Sequence, residues 1–224
     1  MFLEEWVIVF VVLAFVLILI LRKGLLKPTA VATGLITALF VAWRGGLSSF
    51  FAIILFFLIG EFVTRMIRDK HTHKKHGTRS TSNIVGNIGP AIIALAINPT
   101  PFNIMFYASL SAAFADTLSS EIGVLSREQP VMITTLKPVL AGTDGGVSLL
   151  GFLAAALGGI IFAIIGFFAS GSVFYAVLLF AAGVFGSVVD SFLGATLQQR
   201  RVLDNNLVNF VASLSVGLFF ALMF

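Results

Sequence analysis

The sequence has no cysteine and little charge. Without cysteine there is no disulfide framework and no thiolate zinc site, and the redox compartment stays undetermined. Only 11% of the 224 residues are charged, against 58% hydrophobic. Amphipathic helices and alternating strands, which a soluble domain of this size would show, are scarce. Several apolar runs instead approach the roughly 20 residues that cross a bilayer. The chain therefore reads as an integral membrane protein. A secretory leader is not the expectation either, because Met1–Glu5 is acidic and the first apolar run ends in Arg22 and Lys23. No Gly-Lys-Ser/Thr follows any glycine-rich stretch, so there is no Walker motif.

What is present is a succession of apolar segments. Helices are expected at about 6–21, 28–43, 47–67, 82–97, 102–120, 145–169, 173–193 and 205–224. Trp6 is a candidate interface anchor. Pro28 opens the second helix, and Asn98-Pro-Thr-Pro is a turn. The expected fold is all-α and polytopic, with about eight transmembrane helices in one domain. Residues 1–67 form three apolar helices, and 77–224 form a five-helix part that carries the motifs. Every Lys and Arg except Arg44 falls in or beside a loop after an odd-numbered helix. Positive charge marks the cytoplasmic side, so both termini are expected outside. That distribution explains the net charge of +4 by orientation and gives no reason to expect nucleic acid as a partner.

The same topology sends the polar motifs to one face. Ala-Asp-Thr-Leu-Ser-Ser-Glu-Ile-Gly occupies 115–123, and Gly-Thr-Asp-Gly-Gly-Val-Ser occupies 142–148. Asp116 and Ser120 are four apart and share a helix face, flanked by Ser119. Gly123 can end that helix and let Glu121 turn back. Asp144 lies in a turn whose Gly142, Thr143, Gly145 and Gly146 would let backbone N–H groups approach a phosphate, at what is expected to be a helix start. Asp190 and Ser191 come down the seventh helix. Carboxylates in such positions are costly in a bilayer and point to function. Asp116, Asp144 and Asp190 with hydroxyl and amide oxygens suit Mg²⁺. Arg79, Lys137 and Arg127 are candidates to neutralise phosphate.

Plainer readings stand beside these. Either of Asp116 and Asp190 alone would pass for a helix-end charge reaching water. The glycine turn has a second reading as a capped turn only. Asn205, Asn206 and Asn209 read equally as a helix cap plus an interhelical hydrogen bond or as ligand contacts. Glu61 has no assignment. His71, His73 and His76 sit among Lys70, Lys74 and Lys75, and are read as a solvated basic loop near anionic lipid. The many Phe residues pack or face lipid.

These motifs, with 186–198 (Gly-Ser-Val-Val-Asp-Ser-Phe-Leu-Gly-Ala-Thr-Leu-Gln), 204–209 (Asp-Asn-Asn-Leu-Val-Asn) and Gly-Thr-Arg-Ser (77–80), resemble the membrane-protein family that contains plant phytyl-phosphate kinase. That family is distantly like phytol and dolichol kinases and CTP-dependent lipid cytidylyltransferases. The likeness covers most of the chain from Gly77 onward; the first three helices match only in character. It implies a polytopic kinase that phosphorylates an isoprenoid monophosphate to the diphosphate, from CTP or ATP with CTP favoured. It also implies Asp116, Glu121, Asp144, Asp190 and Asn206 as site residues. One departure is visible: where the family favours Gln and Asn after the Arg, this chain has Asn83 and Asn87.

The expected enzyme is thus a Mg²⁺-dependent polyprenyl-phosphate kinase in the cell membrane, its active site facing the cytoplasm. Asp116, Asp144 and Asp190 would hold metal. Arg79, Asn83, Asn87, Ser120, Lys137, the glycine turn, Ser191, Asn206 and Asn209 would hold substrate or nucleotide. Cytidylyl transfer to a lipid phosphate and a non-enzymatic transporter or scaffold are the alternatives, and a homo-oligomer stays open. The reading of the histidine loop has a direct test. Changing His71, His73 and His76 together to Ala should leave lipid-phosphate turnover nearly unchanged, and a loss that added metal restores would contradict it.

Overall fold

The computed structural model describes residues 2–68 and 80–224. The histidine loop and Arg79 lie outside those residues. Helix α1 (Leu3–Lys23) begins where the Glu5 carboxylate accepts the Phe2 N–H at 2.8 Å, and ends at Gly24, whose φ of 58° is cheap for glycine. Its buried residues Val9, Leu13, Val16 and Ile20 form one stripe at helical spacing. Phe10, Val11, Phe15 and Ile18 lie on the outside, where a bilayer would meet them.

Helix α2 (Pro28–Arg68) is one run of 41 residues broken at a single non-helical residue, Gly46, with φ 73° and ψ −173°. At 1.5 Å per residue the run would be about 60 Å long if straight, twice the hydrocarbon thickness of a bilayer. The break answers that excess. It divides the run into the two segments expected from the sequence, at the expected glycines. Two arginines then tie helix ends together. Arg65 is held by Glu61 at 2.7 Å and donates to the Lys23 carbonyl at 3.1 Å, at the C-terminus of α1. Arg44 donates to the carbonyls of Leu95 and Ala96 at 3.2 and 3.0 Å, at the end of α3 (Thr81–Ile97). Each cation meets carbonyls that a helix end leaves without an intrahelical partner, on the favourable side of the helix dipole. Glu61, unassigned from sequence, thereby has a structural role.

Helix α4 (Ile104–Gly123) is the axis of the bundle. It packs against α2, α3, α5 (Leu149–Ser170), α6 (Val173–Leu193) and α7 (Asn205–Met223). Almost its whole length is buried. Five helices among the described residues are long and apolar enough to cross a membrane, and α4 is not among them. Ser109, Ser111 and Thr117 are buried against its neighbours, so it does not need their apolar surface. Close approach is made by small residues, as is usual where lipid gives no hydrophobic drive between helices. A Cβ on Gly158 of α5 would stand 2.7 Å from the Ala115 Cα, and one on Gly186 of α6 would stand 2.6 Å from the Ala112 Cα.

The all-α, polytopic reading holds, with one addition, a later start for the helix after the glycine turn, and a different cap on the last helix. Residues 124–148 contain a small antiparallel ribbon of β1 (Val131–Met132) and β2 (Gly146–Val147). The glycine turn therefore does not open a helix. Extended residues follow it, and α5 starts at Leu149, where the Ser148 hydroxyl accepts the Gly151 N–H at 3.1 Å. Likewise the cap of α7 is Asp204, which accepts the Leu207 N–H at 2.9 Å, and not one of the asparagines. α6 continues into a π-helical turn, Gly194–Gln198. Such turns recur at functional sites.

Candidate functional site

The C-terminal ends of α2, α4 and α6 and the N-terminal ends of α3, α5 and α7 meet at one end of the bundle. A cleft of about 470 Å³ opens there. Asp116, Glu121, Asp144 and Asp190 all line it. Sequence reasoning had placed these four on one face, and the fold brings them into one space.

α4 contributes Asp116 and, one turn on, Ser120, with Ser119 and the buried Glu121 beside them. The helix stays regular because its hydroxyls bond back into it: Thr117 Oγ1 donates to the Ala113 carbonyl at 2.8 Å, and Ser120 Oγ to that of Thr117 at 3.2 Å. Asp190 on α6 lines the same space as Asp116 and Asp144. With its amide nitrogen turned toward that carboxylate, Asn209 donates to Asp190 Oδ2 at 3.1 Å and to the Asn205 carbonyl at 2.9 Å. The same amide lies 3.2 Å from Asn87 Oδ1. Asn87 donates to the Asn83 carbonyl at 2.8 Å, and Asn83 donates to Asn206 Oδ1 at 2.9 Å. In that orientation the Asn209 oxygen faces Asn87 Oδ1, so α3 is tied to α7 through Asn83–Asn206 and α7 to α6 through Asn209–Asp190. Gly86, where a Cβ would be 2.7 Å from the Asn206 carbonyl oxygen, lets the two helices come that close.

Asp144 is exposed at the rim. Its turn is fixed from behind by the π turn of α6. Gln199 Nε2 donates to the Asp144 carbonyl at 2.9 Å, and Gly146 N donates to that of Thr143 at 2.9 Å. Gly145, at φ 76°, lies so near Ala195 that a Cβ would come within 2.6 Å of the Ala195 Cα. The glycine is required there by packing against α6. A phosphate is not needed to account for it.

Of the other expected contacts, Asn83, Asn87, Ser120, Gly142, Thr143, Gly145, Gly146, Ser191 and Asn209 line the cleft. Two do not. Lys137 is exposed in the ribbon, and Asn206 reaches the cleft only through its bond to Asn83. Arg127, too, is exposed and outside the lining. Ser187 and Thr64 line it without having been singled out. Ser187 was findable, since it lies three residues before Asp190 on the same helix face. Thr64, a lone hydroxyl beside Arg65 in α2, belongs to no motif and carried no signal.

The charge balance is one-sided. Among the described residues the lining holds four carboxylates and no Lys, Arg or His. Nor do three or more His, Cys, Asp or Glu side chains among them form a ready metal cage. That donor set fits Mg²⁺, which takes one or two carboxylates and completes its shell with water and substrate phosphate. It does not fit a structural ion held wholly by protein.

The two positive-φ glycines of the turn give a test of its anchoring. At Gly142, φ 82°, nothing lies within 4 Å of a Cβ, so Gly142→Ala should cost only the left-handed backbone penalty of about 1–2 kcal/mol. Gly145→Ala adds the collision with Ala195. It should lower the melting temperature in detergent further and expose the turn to limited proteolysis. Equal behaviour of the two variants would contradict the anchoring.

Comparison with known proteins places the chain. The family described as integral membrane protein DUF92 matches residues 11–217. An uncharacterised membrane protein of Methanocaldococcus jannaschii is 33% identical over 177 residues, covering 77% of this chain and 74% of its own. One from Synechocystis is 30% identical over 220 residues, covering 88% and 83%. The chloroplastic protein VTE6 of Arabidopsis thaliana is 26% identical over 230 residues, covering 92% and 68%. No solved structure matches. With most of its length matched, and the helical membrane bundle in place, the chain belongs to the DUF92 family of integral membrane proteins.

Proposed function

We propose that this protein is a Mg²⁺-dependent membrane kinase that moves a phosphoryl group from a nucleoside triphosphate, CTP favoured, to an isoprenoid monophosphate. The product is the diphosphate, and the cleft faces the cytoplasm. One observation carries the reading: four carboxylates gather with hydroxyl and amide groups in one cleft at the end of an apolar bundle. Two supports stand beside it. Motifs spread over Gly77–Asn209 resemble the family of the plant phytyl-phosphate kinase, and VTE6 matches over most of this chain. The cleft volume also lies in the range of small-molecule and cofactor sites.

Asp116, Asp144 and Asp190 are the residues that would hold Mg²⁺, and the bound ion would supply charge neutralisation to a phosphate. Asn209 keeps the Asp190 carboxylate turned into the cleft. Ser119, Ser187 and Ser191 offer hydroxyl donors to phosphate oxygens. Glu121, nearly buried in the wall, adds to the negative field that selects for a cation. Arg79 immediately precedes Ser80, the cap of the helix that bears Asn83 and Asn87, and is the cation proposed to meet phosphate. No strong general base is required, because a phosphate nucleophile is already anionic near neutral pH. The transfer then rests on positioning and charge neutralisation.

The test is transfer of label from γ-labelled CTP or ATP to geranylgeranyl or phytyl monophosphate by the purified protein. Label is expected in the lipid diphosphate. Asp116→Asn, nearly isosteric, should lower the rate by a factor on the order of a hundred or more while leaving the protein folded. Pyrophosphate released from CTP without label in lipid would replace the reading by cytidylyl transfer. Neither signal would point to a transporter or scaffold.

A further inference from the structure

The membrane helices line the cleft almost wholly with polar side chains and glycine. Only two apolar side chains from α1–α7 take part, Phe152 of α5 and Val188 of α6. Both are exposed, Phe152 by 51% and Val188 by 40%, and stand one helical turn from the exposed Leu149 of α5 and from Phe185 and Phe192 of α6. The remaining apolar lining, Val124, Pro130 and Val147, belongs to the connection between α4 and α5. The cleft wall is therefore apolar and open at one place within the spans, where it meets the surface that faces lipid. Leu149, Leu153, Phe185 and Phe192 extend that apolar surface on the same two helices.

Deeper in the bundle α5 and α6 close against each other. A Cβ on Gly183 would stand 2.8 Å from the Gly159 Cα, and one on Gly159 would stand 2.9 Å from the Phe180 carbonyl oxygen. No room for a chain remains at that crossing. An apolar tail lying along α5 and α6 at the cleft end would leave its polar head beside Asp190 and Ser191, which flank Val188 in the lining. A soluble acceptor would need no apolar flank on the lipid-facing side. A transmembrane solute would need a path past the Gly159–Gly183 crossing.

We propose that the gap between the N-terminal turn of α5 and the C-terminal turns of α6 is a lateral portal. It admits a membrane-resident, single-headed amphiphile with an anionic phosphate head, and Phe152 and Val188 contact the first part of its tail. This rests on the kinase reading for the choice of a lipid phosphate, and it adds the route and the residues that sense the tail. Val188 and Phe152 are then specificity-determining residues that act on tail binding and not on phosphoryl transfer.

A photo-crosslinking experiment separates the portal from the kinase reading. The wild-type protein in lipid nanodiscs is irradiated with a diazirine-bearing analogue of geranylgeranyl monophosphate, the diazirine near the head. Adducts are expected in peptides covering 149–153 and 185–192, competed by unlabelled geranylgeranyl monophosphate. In Val188→Trp the competed adducts should fall about tenfold. Val177→Trp, on the exposed face of α6 but outside the lining, should leave them unchanged. Size exclusion in detergent verifies that both variants fold. Expected adducts without any phosphoryl transfer would support the portal and remove the kinase. Adducts scattered over all lipid-facing helices, or competed adducts confined to other helices, would overturn the portal even if transfer is observed. Indifference of the adducts to Val188→Trp would overturn it as well.

Discussion

Mutual repulsion among carboxylates at the end of an apolar bundle is the constraint on which the rest depends. Asp116, Glu121, Asp144 and Asp190 line one cleft. Groups of like charge held close in partly desolvated surroundings are expensive unless something positive joins them. The lining offers hydroxyls and amides beside them. In the proposed function the positive partner is Mg²⁺ arriving with a nucleotide. The surrounding scaffold holds the elements that carry the carboxylates. Asn209 of α7 bonds Asp190, Asn83 of α3 bonds Asn206 of α7, and a glutamine beyond the π turn fixes the turn that carries Asp144.

The scaffold succeeds because α4 gives up the apolar surface expected of a membrane helix. Its neighbours bear the cost of facing lipid, and α4 is left free to carry serines, a threonine and two carboxylates to the cleft. Glycines on α5 and α6 bring those helices against Ala115 and Ala112, within a turn of Asp116. Packing and chemistry are therefore coupled: the small residues that let the helices approach also set the spacing of the carboxylates. At the other helix ends the two arginine ties, Arg44 and Arg65, satisfy carbonyls that no other helix covers.

Most of this was legible in the sequence where a signal had a fixed period or a fixed cost. Apolar runs gave the helices, and the positions of Asp116, Glu121, Asp144 and Asp190 at helix ends gave the cleft. Gly46 is a sharper boundary than Arg44-Gly-Gly alone conveys, because only the backbone angle shows which glycine breaks the run. The glycine turn misled. Gly145 and Gly146 read as a phosphate cradle at a helix start, yet a two-residue strand follows and Gly145 is fitted to Ala195, about fifty residues away in the chain. Contacts of that range leave no local pattern. Lys137 failed for a similar reason, since short ribbon pairing decides where it points. Asn206 and Asn209 kept two readings until their partners, Asn83 and Asp190, were visible.

The central claim is that the carboxylate cleft receives a divalent cation together with a nucleotide. Electron paramagnetic resonance of Mn²⁺ with the purified protein measures this most directly. The account predicts a strong protein-bound signal that requires CTP or ATP and is lost when Asp190 is changed to Asn. A bound signal indifferent to nucleotide, or one that survives Asp190→Asn unchanged, would contradict it.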